Sequence, residues 1–209
     1  TKGITLFQNE NQKNGFSGDK NTGMLYADMG NVEYFISGDM DAALKNYEMA
    51  VKNKNDVPSV NYKIGVINYK KNEYDKALAS FLKAAETEDG DENLLMALGN
   101  VLSLKGDNFA AEGYYSHLLG LLDKEKGRRV MLFPHTKNED NILLEQYVKV
   151  NNNLGVTLYR IARQTGDSAK NAQAIVRLSE SIRAWDALTR DPDSMVRLGG
   201  SNLALQNSK

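Results

Sequence analysis

The chain has 209 residues, 41% of them hydrophobic and 25% charged, enough for one sizeable core or two small ones. Twenty-six Lys+Arg against 27 Asp+Glu leave a net charge of −1, so there is no basic excess to displace counterions from nucleic-acid phosphates, and no nucleic-acid partner is expected. The absence of cysteine excludes disulfide scaffolds, thiolate zinc sites, iron–sulfur clusters and cysteine nucleophiles.

No run approaches the ~18 apolar residues needed to cross a bilayer, so direct membrane insertion is not expected. The chain begins at Thr1 without a signal-like apolar stretch and reads as a fragment of a longer protein. It reads as soluble, with the compartment left open between cytoplasm and periplasm. Residues 1–23 lack helical periodicity, and Ile4, Leu6 and Phe7 are their only apolar cluster. They are expected either to be a flexible lead-in or to dock on the first helical unit.

From residue 24 onward one spacing dominates. Ala43, Ala77 and Ala111 lie 34 apart (77−43 and 111−77), and so do Tyr47, Phe81 and Tyr115. Ala50, Ala84 and Leu118 share that period, as do Gly65 with Gly99 and the turn positions Gly38, Asn72 and Gly106. Five columns with one period define a repeat. Within each unit the pattern is helix, short turn, helix, with repeats at about 24–57, 58–91 and 92–125.

Pro58 suits the first helical position, where a missing N–H costs nothing. Gly38, Asn72 and Gly106 fall where a helix ends in a left-handed residue, and Asp39 and Asp107 follow as N-caps. The small residues Gly65 and Gly99 on first helices, with Ala77 and Ala111 on second helices, are expected to let backbones approach closely. By strict period Asn31 takes the small-residue place in the first unit, which would loosen it.

Past Leu122 the period breaks. Residues 123–141 are charged, then apolar, then polar, with Gly127 and Pro134 as breakers, and predict an insertion loop. Helical pattern resumes at Ile142, where Asn151, Leu154, Gly155 and Leu158 repeat the first-helix signature. An elongated fourth unit spans 142–190, and Pro192, Met195, Leu198 and Gly199 open a terminal helix over 192–206.

These residues resemble the tetratricopeptide repeat family, whose pattern reads W-x2-L-G-x2-Y, then A-x3-F, then P. Leu95, Leu98, Gly99 and Leu102, then Ala111 and Tyr115, match it in the third unit; Ile64 and Gly65, then Ala77 and Phe81, match it in the second. The first offers Ala27, Gly30 and Tyr34, then Ala43 and Tyr47. The resemblance implies an all-α, right-handed superhelical array of antiparallel helix pairs, about four repeats plus a terminal helix.

No constellation for catalysis emerges. His117 neighbours the packing position Leu118 and suits a partly exposed structural role, and His135 has only Glu139 and Asp140 nearby. Asp89, Gly90, Asp91 and Glu92 fail the register of a calcium loop and suit a turn with a helix cap. No phosphate-binding, dinucleotide, zincin or nucleophile-elbow motif occurs. No enzyme activity, cofactor or metal is expected.

The resemblance implies a concave stripe at the second, fifth, ninth and twelfth places of each first helix. In the first unit these are Leu25, Asp28, Val32 and Phe35; in the second, Ser59, Tyr62, Val66 and Tyr69. The third offers Asn93, Met96, Asn100 and Ser103, and the fourth Lys149, Asn152, Val156 and Tyr159. Amides can grip a peptide backbone and aromatic rings give stiff contact area, so an extended peptide or partner helix is the expected ligand. Asp28, Val32, Asn93 and Ala97 stand where some family members carry a basic clamp for acidic C-termini, which disfavours that mode.

In the predicted loop, Lys124, Lys126, Arg128 and Arg129 precede Val130, Met131, Leu132 and Phe133. These residues either cover the junction of the third and fourth units or contact a partner. The leading expectation is a non-catalytic adaptor or scaffold that binds protein. The alternatives are a structural subunit of a large assembly (in the cell envelope, for example), self-associating through its terminal helices, and an accessory domain of a larger enzyme.

Overall fold

A computed structural model describes residues 20–86, 90–132 and 137–189, with side-chain detail outside 126–142. The chain divides into two compact units, Thr1–Asp89 and Gly90–Lys209. The first holds α1 (Lys20–Val32), which runs into a π-helical segment (Glu33–Ser37), then α2 (Met40–Lys52), α3 (Pro58–Lys70) and α4 (Tyr74–Ala85). The second holds α5 (Glu92–Leu104), α6 (Asn108–Leu132), α7 (Lys137–Thr165) and α8 (Ser168–Thr189). The described residues contain no strand, and the fold is all-α: helix hairpins of the tetratricopeptide kind.

Short-range chemistry places the turns. Gly38, Asn72, Gly106 and Gly166 have φ of 70°, 61°, 84° and 73°, the left-handed conformation that ends a helix and frees the chain to reverse. An aspartate follows three of them and opens the next helix. Asp39 Oδ1 accepts from the Asp41 and Ala42 amides at 3.1 and 2.9 Å, and Asp107 Oδ1 from the Ala110 amide at 3.1 Å. Asp167 Oδ1 does the same for the Ala169 and Lys170 amides at 2.8 and 3.1 Å. Pro58 sits at the start of α3, as its missing N–H favours.

The hairpins close on aromatic rings. A Cβ built on Gly65 would lie 2.5 Å from the Phe81 ring, one on Gly99 2.4 Å from the Tyr115 ring, and one on Gly30 2.7 Å from the Tyr47 ring. The glycines thus seat the ring of the partner helix, a more specific task than letting two backbones meet. Tyr47, Phe81 and Tyr115 are at most 2% exposed. In the fourth hairpin Leu178 takes the ring's place, 2.7 Å from a Cβ on Gly155.

Gly30, and not Asn31, is the seat in the first hairpin. Gly30 precedes Ala43 by 13 residues, whereas Gly65 precedes Ala77 and Gly99 precedes Ala111 by 12. The extra residue is taken up by the π-helical segment, which closes with the Gly38 amide on the Glu33 carbonyl. The first helix therefore packs as tightly as the others, contrary to the loosening expected from the strict period.

Two boundaries differ from the expected ones. α1 already covers 20–23, and Gly23 is buried against the Asn53 carbonyl, with Asn55 Nδ2 donating to the Gly23 carbonyl at 3.3 Å. In place of a loop over 123–141, α6 continues to Leu132 and α7 starts at Lys137. Residues 123–132 are mostly strong helix formers, and the ~1 kcal/mol cost of Gly127 does not break the run. Residues 1–19 and the predicted terminal helix over 192–206 lie outside the described residues.

The seats predict opposite outcomes for one substitution. Gly99→Ala should lower stability by about 2 kcal/mol or more, since ring and helix must separate. Gly113→Ala and Gly120→Ala, whose added methyl groups would meet nothing within 4 Å, should each raise it by about 0.5–1 kcal/mol. Urea unfolding of the three variants decides; a neutral Gly99→Ala would contradict the seat.

Candidate functional site

In the first unit the inner edges of α1 and α3 are tied by polar side chains. The Tyr47 hydroxyl donates to Asn31 Oδ1 at 2.9 Å, and Lys63 Nζ donates to the same oxygen at 2.8 Å while lying 5.7 Å from the Tyr47 ring centre. Lys70 Nζ donates to the Tyr34 hydroxyl at 2.8 Å and stands 4.9 Å from that ring's centre. Burial pushes the Lys63 ammonium below its usual pKa, against the opposing pull of Asp28. Burial, with Tyr34 adding to it, pushes Tyr47 up to about 12.

The second unit repeats the arrangement with different residues. The Tyr115 hydroxyl donates to Asn100 Oδ1 at 2.8 Å, and Asn153 Nδ2 of α7 donates to that oxygen at 2.9 Å, with Met96 Sδ at 3.6 Å. Arg160 Nη1 donates to Ser103 Oγ at 2.8 Å. Counted from the seat glycines, both units use the same places. Acceptors stand one and four residues after the glycine (Asn31 and Tyr34; Asn100 and Ser103). Donors stand two before and five after the next one (Lys63 and Lys70; Asn153 and Arg160).

The second repeat carries the apolar counterpart. Phe81 has no hydroxyl, and Val66 stands where Asn31 and Asn100 do. The pairing of Tyr with Gly-Asn and of Phe with Gly-Val is the sequence signal for the clasp. It escapes a search for the period alone, because the first unit is one residue out of step.

The expected stripe residues fall into three groups. Tyr62, Val66 and Tyr69 are half-buried on α3, with the Tyr62 ring 5.7 Å from that of Phe81 and the Tyr69 ring 5.8 Å from that of Tyr74. Burial, reinforced by Tyr74, pushes the Tyr69 hydroxyl pKa up. Asn93 is exposed and Met96 half-buried, both beside a recess of about 260 Å³ in the second unit. Asn152 is exposed and donates to Asn153 Oδ1 at 3.3 Å, and Tyr159 is 47% exposed.

Asn100 differs from the expectation, since its carbonyl oxygen is engaged by Tyr115 and Asn153. Phe35 also differs: with Gly30 as the seat, the first-repeat stripe runs through Asn31 and Tyr34. Phe35 stands one residue off it, 69% exposed and edge-on to Tyr34 at 4.9 Å. The side chains of Arg128, Arg129, Met131 and Phe133 lie outside the described residues. No group of three or more His, Asp or Glu that could hold a metal ion occurs among the described residues. None of their helices is long and apolar enough to cross a membrane.

Helix hairpins with left-handed turns, aspartate caps and a glycine–aromatic seat at this spacing define a tetratricopeptide-type helical array. Two solved structures agree on the fold. A structure described as "Crystal structure of MamA" superposes with a TM-score of 0.59 at 13% identity, over 86% of this chain and 87% of that one. A second, "MamA MSR-1 C2", gives 0.55 at 17% identity, over 78% and 76%. "YrrB: a TPR protein with an unusual peptide-binding site" aligns over 94% and 97% at 20% identity, with a TM-score of 0.48. No family model matches the chain, and no curated protein matches its sequence.

The clasp makes two predictions. Asn100→Val should lose about 1–3 kcal/mol, because the Tyr115 hydroxyl and the Asn153 amide lose their acceptor. Adding Tyr115→Phe, which copies the Val66 and Phe81 pair, should recover part of that loss; strict additivity in urea unfolding would contradict the clasp. Tyr47 holds its proton more tightly folded than unfolded, so above pH 10 the unfolded chain binds fewer protons. Stability should therefore fall from about pH 10 toward 12, and more shallowly in Tyr47→Phe; an identical alkaline profile would refute a buried hydroxyl.

Proposed function

We propose that the chain is a protein-interaction module, each of whose two units takes an extended peptide or a partner helix along the stripes of its own first helices. The observation that supports this most is what the clasps leave over. The clasping residues tie each pair of first helices together, while Tyr62, Val66 and Tyr69 in one unit, and Asn93, Met96, Asn152 and Tyr159 in the other, keep surface facing solvent. Rings with polar tips beside amides are the composition that grips a backbone and anchors side chains.

The test starts from peptides selected out of a random library on the intact chain. Tyr69→Ala and Tyr159→Ala should each weaken the peptides that bind its own unit by about 2–4 kcal/mol, roughly 30-fold or more, if these rings are anchors. Melting temperatures serve as the folding control. Unchanged affinity in both variants would move the interface off the stripes.

A second reading, assembly into a larger structure, draws on a different surface. Ile175, Val176 and Ile182 of α8 are 60%, 50% and 63% exposed, which is unusual for three aliphatic side chains on two turns of one helix. Sedimentation over a concentration series should then show self-association that Ile182→Lys abolishes; a monomer at every concentration would count against it.

A further inference from the structure

The recess of the second unit is built by a departure from the repeat. α1, α3 and α5 each have 13 residues, whereas α7 has 29. α5 begins seven residues before Gly99 (99−92), but α7 begins 18 before Gly155 (155−137). Glu145 and Gln146 stand ten and nine residues before Gly155, on the extension, whereas α3 and α5 begin only seven residues before Gly65 and Gly99. They face the start of α5 across a recess of about 260 Å³. Farther along the pair, the bonds from Asn153 to Asn100 and from Arg160 to Ser103 join the helices directly.

Resting on the interaction-module reading above, we propose that this recess binds one long basic side chain, arginine or lysine, of the partner peptide. Its volume is below the roughly 300 Å³ at which pockets for whole small molecules begin, and suits a single side chain. Its apolar lining is Leu118, 1% exposed, and the Met96 thioether, contacted by Asn153. Together they offer a path for an aliphatic stem.

Its polar lining is rich in acceptors. The Glu92 and Glu145 carboxylates come from two helices, with the amides of Asn93 and Gln146 beside them. The one cation of the lining, Lys149, has its ammonium 3.9 Å from Glu145 Oε2 and its side chain 63% exposed, which leaves the lining with a net charge of −1. A guanidinium or ammonium supplies donors to match, whereas an acidic side chain would meet two like charges.

The test uses NMR titration of the intact chain with acetyl-arginine-methylamide, with acetyl-norleucine-methylamide and acetyl-glutamate-methylamide for comparison. The arginine compound should shift the Met96 methyl and the Asn93 and Gln146 side-chain amides saturably, with affinity on the order of millimolar. Glu92→Gln and Glu145→Gln should each weaken it about fivefold or more, and Lys149→Gln should tighten it. Equal shifts with norleucine, no saturable shift, or indifference to both glutamine substitutions would overturn the proposal. If library peptides still require Tyr69 and Tyr159 while the arginine probe fails, the basic side chain is wrong and the interaction module stands.

Discussion

An aromatic ring pressed against helix backbone that has no Cβ is the contact on which each regular hairpin depends. A ring can come this close only where the first helix carries glycine, and the approach fixes how near the two axes lie. Truncating such a ring costs on the order of 3–5 kcal/mol, several times the 0.5–1.5 kcal/mol of a single neutral hydrogen bond. The seat therefore outweighs any single neutral hydrogen bond of the hairpin. The hydroxyl at the ring's edge has a different effect: it reaches the residue after the glycine and links the hairpin to the next first helix.

That link decides which side chains remain for binding. Asn31 and Asn100 spend their carbonyl oxygens on a tyrosine of their own hairpin and a donor from the next. Once these are committed, the surface that remains differs between the units. The first offers Tyr62, Val66 and Tyr69, and the second offers amides, a thioether and a recess with two carboxylates. One repeat geometry thus presents two chemistries, because the two units carry different residues outside the seat and the clasp.

Much of the fold is legible in the sequence, because local chemistry sets it. Gly38, Asn72 and Gly106 are left-handed, Asp39 and Asp107 cap, and Pro58 opens a helix, each for a reason that needs no tertiary contact. The register of the first repeat is not legible from the period. A single inserted residue can be absorbed anywhere between Gly30 and Ala43, and only packing shows that Glu33–Ser37 takes it in π-helical form. Phe35 falls off the stripe for that reason. Residues 123–132 are misread because Gly127 and the dense charge suggest a loop, while their helix propensity, with Tyr147 bonded to Asp123, favours continuation. Asn100 is chosen as a free amide because a partner 53 residues away, Asn153, is invisible to a linear reading.

The central contact is tested most directly by a double-mutant cycle on Gly65 and Phe81. If the glycine exists to seat the ring, Gly65→Ala should be severe beside Phe81 and mild beside Phe81→Leu, whose smaller side chain clears the added methyl. The coupling measured by urea unfolding should then be about 1 kcal/mol or more in favour of the double variant. Independent effects, with the two losses simply adding, would mean that the ring does not need the glycine and that something else sets the spacing of the helices.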